Sequence, residues 1–189
     1  MLTSLLDRLT RRPPFKRKAE VFYGKVVAAA RQPGFYGPGR APDTPEGRFE
    51  LIALHLFLIA ERVKTTAPDG QDVARALIEA FVVDMDDCMR EMGVGDLTVP
   101  KRVKRAAAGF YERSGAYRDG LAAGLSKQAE PDALASIAAR TILQQAEGDG
   151  FARVLADYIR ASQTRLDRLS SDELAAGRWD FAPAPAPLA

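Results

Sequence analysis

Residues 49–60 have the sequence FELIALHLFLIA, and this stretch decides the fold. In a helix its apolar side chains cover most of the circumference, which is typical of a helix buried on all sides. Such a helix can begin with Thr44 as its cap and Pro45 in the favoured first position, and Asp43 offers an alternative cap. We therefore predict a buried central helix over about residues 44–66.

The rest of the chain also repeats apolar residues at helical spacing, and no segment alternates with strand period over a useful length. We predict an all-α, single-domain bundle of about six or seven helices around the central one. Its other helices are expected near residues 17–32, 70–92, 103–125 and 132–146 and from residue 149 onward.

The two ends of the chain differ from this helical domain, which we place at residues 17–170. Residues 1–16 form an amphipathic, basic N-terminal segment. Residues 171–189 form a tail, and repeated prolines at its Ala-Pro-rich end cannot continue a helix. We therefore expect the end of the tail to be disordered.

Cysteine and histidine are too few for several kinds of site. The lone Cys88 rules out an internal disulfide, and with the lone His55 the usual Cys/His zinc sites are impossible. We expect His55 to be a buried imidazole that donates to a backbone carbonyl.

The longest apolar stretch, residues 51–60, is half as long as a membrane-spanning helix. We expect a cytoplasmic protein, with a peripheral contact to the inner membrane left open.

Charged side chains crowd the turn between two predicted helices. Anions are disfavoured at a helix C-terminus and cations at an N-terminus, by about 0.3–1 kcal/mol per exposed charge. Here an acidic cluster lies at the C-terminus of the first helix and a basic cluster at the N-terminus of the second, which are the unfavourable positions. Either the two clusters face each other across the turn, or an outside partner neutralises them. The expected structural charge network comprises Asp84, Asp87, Glu91 and Asp96, and the basic start comprises Lys101, Arg102, Lys104 and Arg105.

The acidic helix end allows a second interpretation, a cation site. Asp84, Asp87 and Glu91 share one helical face, as do the aspartates that hold magnesium diphosphate in prenyl-transferring enzymes. Those enzymes need a second acidic helix opposite, and the sequence has no comparable cluster elsewhere. We therefore expect no metal and no cofactor, and keep a magnesium-dependent prenyl or lipid-diphosphate enzyme as an alternative.

Basic residues concentrate in two stretches, residues 8–18 and 101–105, although the net charge is only +2. Such stretches can contact RNA or an anionic membrane, or can be solvated surface. An RNA- or ribosome-contacting protein is thus a second alternative, whereas DNA is not an expected partner.

Several short motifs occur in order between residues 20 and 125. They are Phe22–Tyr23, Arg31–Tyr36, Pro42–Thr44, Gly47–Glu50, Arg90–Leu97, Val99–Arg102 and Phe110–Tyr111. In order and spacing they resemble the ubiquinol–cytochrome c chaperone family. The resemblance implies an all-helical assembly factor for respiratory complex III without enzymatic activity. It implies newly made cytochrome b as the client, with the ribosome and a small protein as further partners.

A holder of an apolar client needs a hydrophobic groove rimmed by charge. We predict this groove beside the loop of residues 33–47, in which eight of fifteen residues are Pro or Gly, and the turn of residues 92–100. The predicted client or partner contacts are Phe35, Tyr36, Arg48, Lys101, Arg102, Lys104 and Arg105.

Overall fold

Helices make up most of the computed structural model, which describes residues 13–66, 68–123, 132–145 and 150–188. A 3-10 turn, Pro33–Phe35, and a π-helical turn, Ala139–Leu143, add to them. Within the described ranges the only strand-like pairing is a single bridge between Tyr36 and Ala41. The helices are α1 Pro14–Ala30, α2 Pro45–Thr66, α3 Gly70–Glu91, α4 Val99–Ala123, α5 Ala133–Ala138, α6 Gly150–Asp167 and α7 Ser171–Ala175. The predicted all-α bundle of six or seven helices is confirmed.

The central element is α2. Every residue from Glu50 to Ala60 is buried. The helix packs against α1, α3, α4, α6 and the π-helical turn, so this stretch is covered on nearly all sides. Burying an aliphatic or aromatic side chain contributes about 1.5–3 kcal/mol, which makes α2 the main source of core stability. The predicted buried helix over residues 44–66 is confirmed.

The start of α2 shows which of the two possible caps is used. The Thr44 hydroxyl oxygen accepts a hydrogen bond from the Gly47 N–H at 3.2 Å. Asp43 instead accepts from the Arg48 side chain at 2.7 Å. A Cβ atom on Gly47 would overlap the Pro42 carbonyl, so glycine is required where the loop meets the helix.

Two buried polar side chains on α2 have partners on other helices. Glu50, which is 6% exposed, receives two hydrogen bonds from the guanidinium of Arg113 on α4. His55 is fully buried, and its Nδ1–H donates to the Leu51 carbonyl at 2.7 Å. Its Nε2 therefore accepts from the Tyr158 hydroxyl on α6, also at 2.7 Å. The expected buried imidazole is confirmed.

The end of the chain, residues 179–188, lies in an extended conformation along the body and is called the C-terminal strap below. Trp179 and Phe181 are buried. The Trp179 ring contacts Phe22 of α1, with centroids 5.1 Å apart, and Phe181 contacts His55 at 4.8 Å. Two bulky aromatic anchors thus attach the strap to the core.

The Ala-Pro part of the strap is also held in place. The Ala182 N–H donates to the Ser162 hydroxyl at 3.1 Å, and Arg40 donates to the Ala186 carbonyl at 2.6 Å. The strap passes so close to Gly34 that a Cβ atom there would overlap the Pro185 carbonyl. The prediction of a disordered end is therefore wrong for residues 182–188, because side chains of the body form hydrogen bonds with a backbone that cannot form a helix.

The N-terminal segment was predicted over residues 1–16. Its residues 1–12 lie outside the part of the chain that the structure describes.

We predict that Trp179→Ala lowers the free energy of unfolding by about 3–5 kcal/mol, because it removes the main anchor of the strap and leaves a cavity beside Phe22. Urea denaturation followed by circular dichroism measures this change. The control is Leu188→Ala at the half-exposed end of the strap, which should change stability by less than about 0.5 kcal/mol. Equal stability of the two variants would show that the strap is not part of the core.

His55 makes stability depend on pH. Burial lowers the pKa of the imidazole from 6.5 to about 4. Between these values the unfolded chain binds a proton that the folded chain does not, so the free energy of unfolding falls as the pH drops from 6.5 towards 4. The loss from this group can reach about 3 kcal/mol.

The double variant His55→Leu, Tyr158→Phe should lose this component, whereas the carboxylates titrate in both proteins. Urea denaturation at pH values from 7 to 4 tests the difference between them. Parallel pH profiles for the two proteins would contradict the assignment.

Candidate functional site

A groove of about 310 Å³ lies between α2, α3 and α4. Ile78 of α3 is half-buried along it, and Tyr111 of α4 stands at its edge with 60% of its surface exposed. Tyr111 is the one mostly exposed aromatic residue of the described chain. The buried residues of its floor are Phe57, Ala60, Ala74, Phe110 and Ser114, of which only Ser114 is polar. The groove is therefore apolar at its base and offers an accessible aromatic ring at its rim.

Charged side chains surround this apolar floor. Arg118 of α4 pairs with Glu61 of α2 at 3.0 Å, and Lys64 lies 4.0 Å from the same carboxylate. Arg75 of α3 pairs with Asp72 at 3.6 Å. An apolar groove with a charged rim was predicted, but this groove lies along the helices rather than beside residues 33–47 and 92–100.

The loop-side candidates from the sequence lie in different environments. Phe35 is fully buried between the rings of His55 and Tyr158, at centroid distances of 5.5 and 5.0 Å. It cannot contact a partner while the fold is intact, so its prediction as a contact residue is wrong. Tyr36 is half-buried and donates to the Ala30 carbonyl at 2.8 Å. Arg48 is exposed and paired with Asp43.

The last two residues of α3 and the turn that leads to α4, residues 90–98 together, are called the α3–α4 tip below. Its charges pair within the acidic side of the turn. Arg90 pairs with Asp86 at 2.6 Å and with Asp96 at 2.5 Å. Asp84 points to α1 and accepts a hydrogen bond from the Tyr23 hydroxyl at 2.7 Å. Burial, reinforced by this bond, raises the pKa of Tyr23.

The basic cluster does not face these carboxylates. Within the described chain, none of its four cations lies within ion-pairing distance of an acidic side chain, and all four are exposed. Val99 and Phe110 are buried, and these inward positions fix the rotation of α4 so that the cations point outward. Asp87 and Glu91 are likewise exposed. Of the two alternatives, the one in which the clusters face each other across the turn is therefore wrong, since Arg90 supplies the cation that pairs with Asp86 and Asp96.

The acidic residues do not assemble into a metal site in the described part of the chain, which holds no group of three His, Cys, Asp or Glu suited to a metal ion. Asp84 is already bound by Tyr23. This arrangement gives no support to the magnesium–diphosphate alternative.

None of the described helices combines the length and the apolar character needed to cross a membrane.

Sequence reasoning missed the groove between α2, α3 and α4. Phe110 and Tyr111 are adjacent, yet one is 3% and the other 60% exposed. Successive residues of a helix point about 100° apart, so the pair marks the boundary between the buried and exposed faces of α4. In the sequence, the feature that could have indicated the groove was an aromatic residue, Tyr111, directly after the predicted core residue Phe110.

Comparison with known proteins identifies relatives over most of the chain. The family model for the ubiquinol-cytochrome C chaperone matches residues 39–181. Ubiquinol-cytochrome c reductase complex assembly factor 1 of Mus musculus is 24% identical over 134 residues, which are 70% of this chain and 43% of the mouse protein. The Xenopus laevis protein is 22% identical over 141 residues, or 74% and 68% of the two chains. The match thus spans less than half of the mouse relative.

A solved structure is similar over nearly the full length. The crystal structure of the Cbp3 homolog from Brucella abortus has a TM-score of 0.79 and 34% sequence identity, covering 97% of this chain and 98% of that chain. The family match covers residues 39–181, within the range that this structural match covers. The chain belongs to the ubiquinol-cytochrome c chaperone family.

Proposed function

We propose that the protein is a non-enzymatic assembly chaperone for respiratory complex III that holds newly made cytochrome b. Membership of the family supports the role in assembly, and the names of the mouse and frog relatives describe the same complex. The observation that carries the proposal is the groove between α2, α3 and α4, with its apolar floor and charged rim. The proposed place of action is the cytoplasmic face of the inner membrane.

The groove has the chemistry needed to hold an apolar segment reversibly. Removing apolar surface from water contributes about 25 cal/mol per Å², so a client helix lying over Phe57 and Phe110 gains free energy in proportion to its contact area. The Tyr111 ring adds apolar contact and keeps a hydroxyl in water. The rim pair of Glu61 and Arg118 stays exposed enough to orient polar flanks of the client.

Other predicted contacts have weaker support as client contacts. Tyr36 and Arg48 already have partners inside the chain. A ribosome contact and a small partner protein remain predictions from the family resemblance. The four cations at the start of α4 lie apart from the groove lining and are considered separately below.

We predict that Tyr111→Asp reduces the recovery of cytochrome b with the tagged protein by about tenfold or more, since a carboxylate at the groove edge opposes burial of an apolar segment. The measurement is affinity purification from membranes of cells that lack the unmodified protein, with quantitative mass spectrometry. The matched control is Val21→Asp on α1, because Val21 is 61% exposed and lies away from the groove.

Both variants should remain folded by circular dichroism, and only Tyr111→Asp should lower the amount of assembled complex III. Normal recovery of cytochrome b with Tyr111→Asp would exclude this groove as the client site. Recovery of other complex III subunits without cytochrome b, using the unmodified protein, would contradict the proposed client.

A further inference from the structure

The α3–α4 tip and the first turns of α4 form an exposed surface outside the groove. Leu97 is 98% exposed and Met92 is 55% exposed. Apart from the half-buried Val94, every residue from Arg90 to Thr98 is exposed. Aliphatic side chains are thus presented to the surroundings at the end of a helical hairpin.

The tip lies beyond the aromatic part of the core. The ring of Phe81 on α3 packs against the rings of Phe49 and Phe110, at centroid distances of 5.6 and 5.7 Å. A helix rises 1.5 Å per residue, so the end of α3 at Glu91 lies about 15 Å further along its axis. The tip therefore extends beyond this aromatic cluster.

The tip carries a separated charge pattern. Lys101, Arg102, Lys104 and Arg105 are exposed on the α4 side and have no acidic partner among the described residues. On the α3 side, Arg90 occupies Asp86 and Asp96, and Tyr23 binds Asp84, which leaves the exposed Asp87 and Glu91. The α4 side is therefore locally cationic beside Leu97.

We propose that the tip binds the surface of an anionic lipid bilayer, with Leu97 and Met92 entering the interface and the four α4 cations contacting lipid headgroups. Aliphatic side chains next to exposed cations are the combination that interfacial membrane binding requires. Single-stranded RNA is usually held on aromatic side chains, and residues 90–98 contain none. The sequence predicted that these four cations contact the client or a partner protein. Anionic lipid is proposed as their binding partner instead.

The test is flotation of the full-length protein with vesicles of phosphatidylcholine, with and without phosphatidylglycerol. The unmodified protein should bind only the anionic vesicles, and more weakly as salt increases. Replacing all four cations by Gln (Lys101→Gln, Arg102→Gln, Lys104→Gln and Arg105→Gln) should weaken binding at least about tenfold. Leu97→Asp should weaken it several-fold while leaving the cations in place.

A matched charge control changes four exposed arginines elsewhere: Arg153→Gln, Arg165→Gln, Arg168→Gln and Arg178→Gln. It lowers the net charge equally and should keep nearly full vesicle binding. Tyr111→Asp should also keep it, which separates this proposal from the proposed function. If the control loses as much binding as the tip variant, general charge rather than the tip is responsible and the proposal fails.

Three further outcomes would overturn the proposal. One is absence of binding to anionic vesicles at low salt, and another is full binding by both tip variants. The third is that vesicles do not bind while RNA does, with RNA binding lost in the four-Gln variant and unchanged in Leu97→Asp, which would assign the cations to nucleic acid.

Discussion

The enclosure of α2 is the constraint on which the rest of the structure depends. Eleven consecutive residues, from Glu50 to Ala60, are each at most 6% exposed, so other elements must cover nearly every side of the helix. Its buried polar groups must then be satisfied internally, since an unpaired one costs about 1–3 kcal/mol. Arg113 bonds to Glu50 and Tyr158 bonds to His55. These bonds fix α4 and α6 relative to the central helix.

The C-terminal strap completes this enclosure. Aromatic contacts run from Phe22 through Trp179 and Phe181 to His55, and from there to Tyr158. The groove between α2, α3 and α4 lies on another side of the same helix, where Phe57 and Ala60 form part of its floor. The buried central helix thus supports both the strap on one side and the groove floor on another.

The sequence was most informative where a property depends on one helix alone. The apolar circumference of residues 49–60 predicted α2, and a lone His55 within it predicted a buried imidazole. It was least informative where several elements decide the result. Ala-Pro composition contains no information about the Arg40 and Ser162 side chains that hold the strap, and helical periodicity does not say whether the α4 cations meet the carboxylates of α3. The five-residue α7 is too short to show periodicity, although Ser170 and Glu173 form its capping box.

Trp179 is the only tryptophan in the chain, so the strap contains the main intrinsic fluorophore of the protein. Its ring is 2% exposed and lies 4.5 Å from the Lys25 ammonium group. Release of the strap into water would change the emission of this single indole even if every helix stayed intact. Tryptophan emission and far-ultraviolet circular dichroism therefore report on different parts of the molecule. If the emission changed at a lower denaturant concentration than the circular dichroism, the strap would have opened while the helices remained.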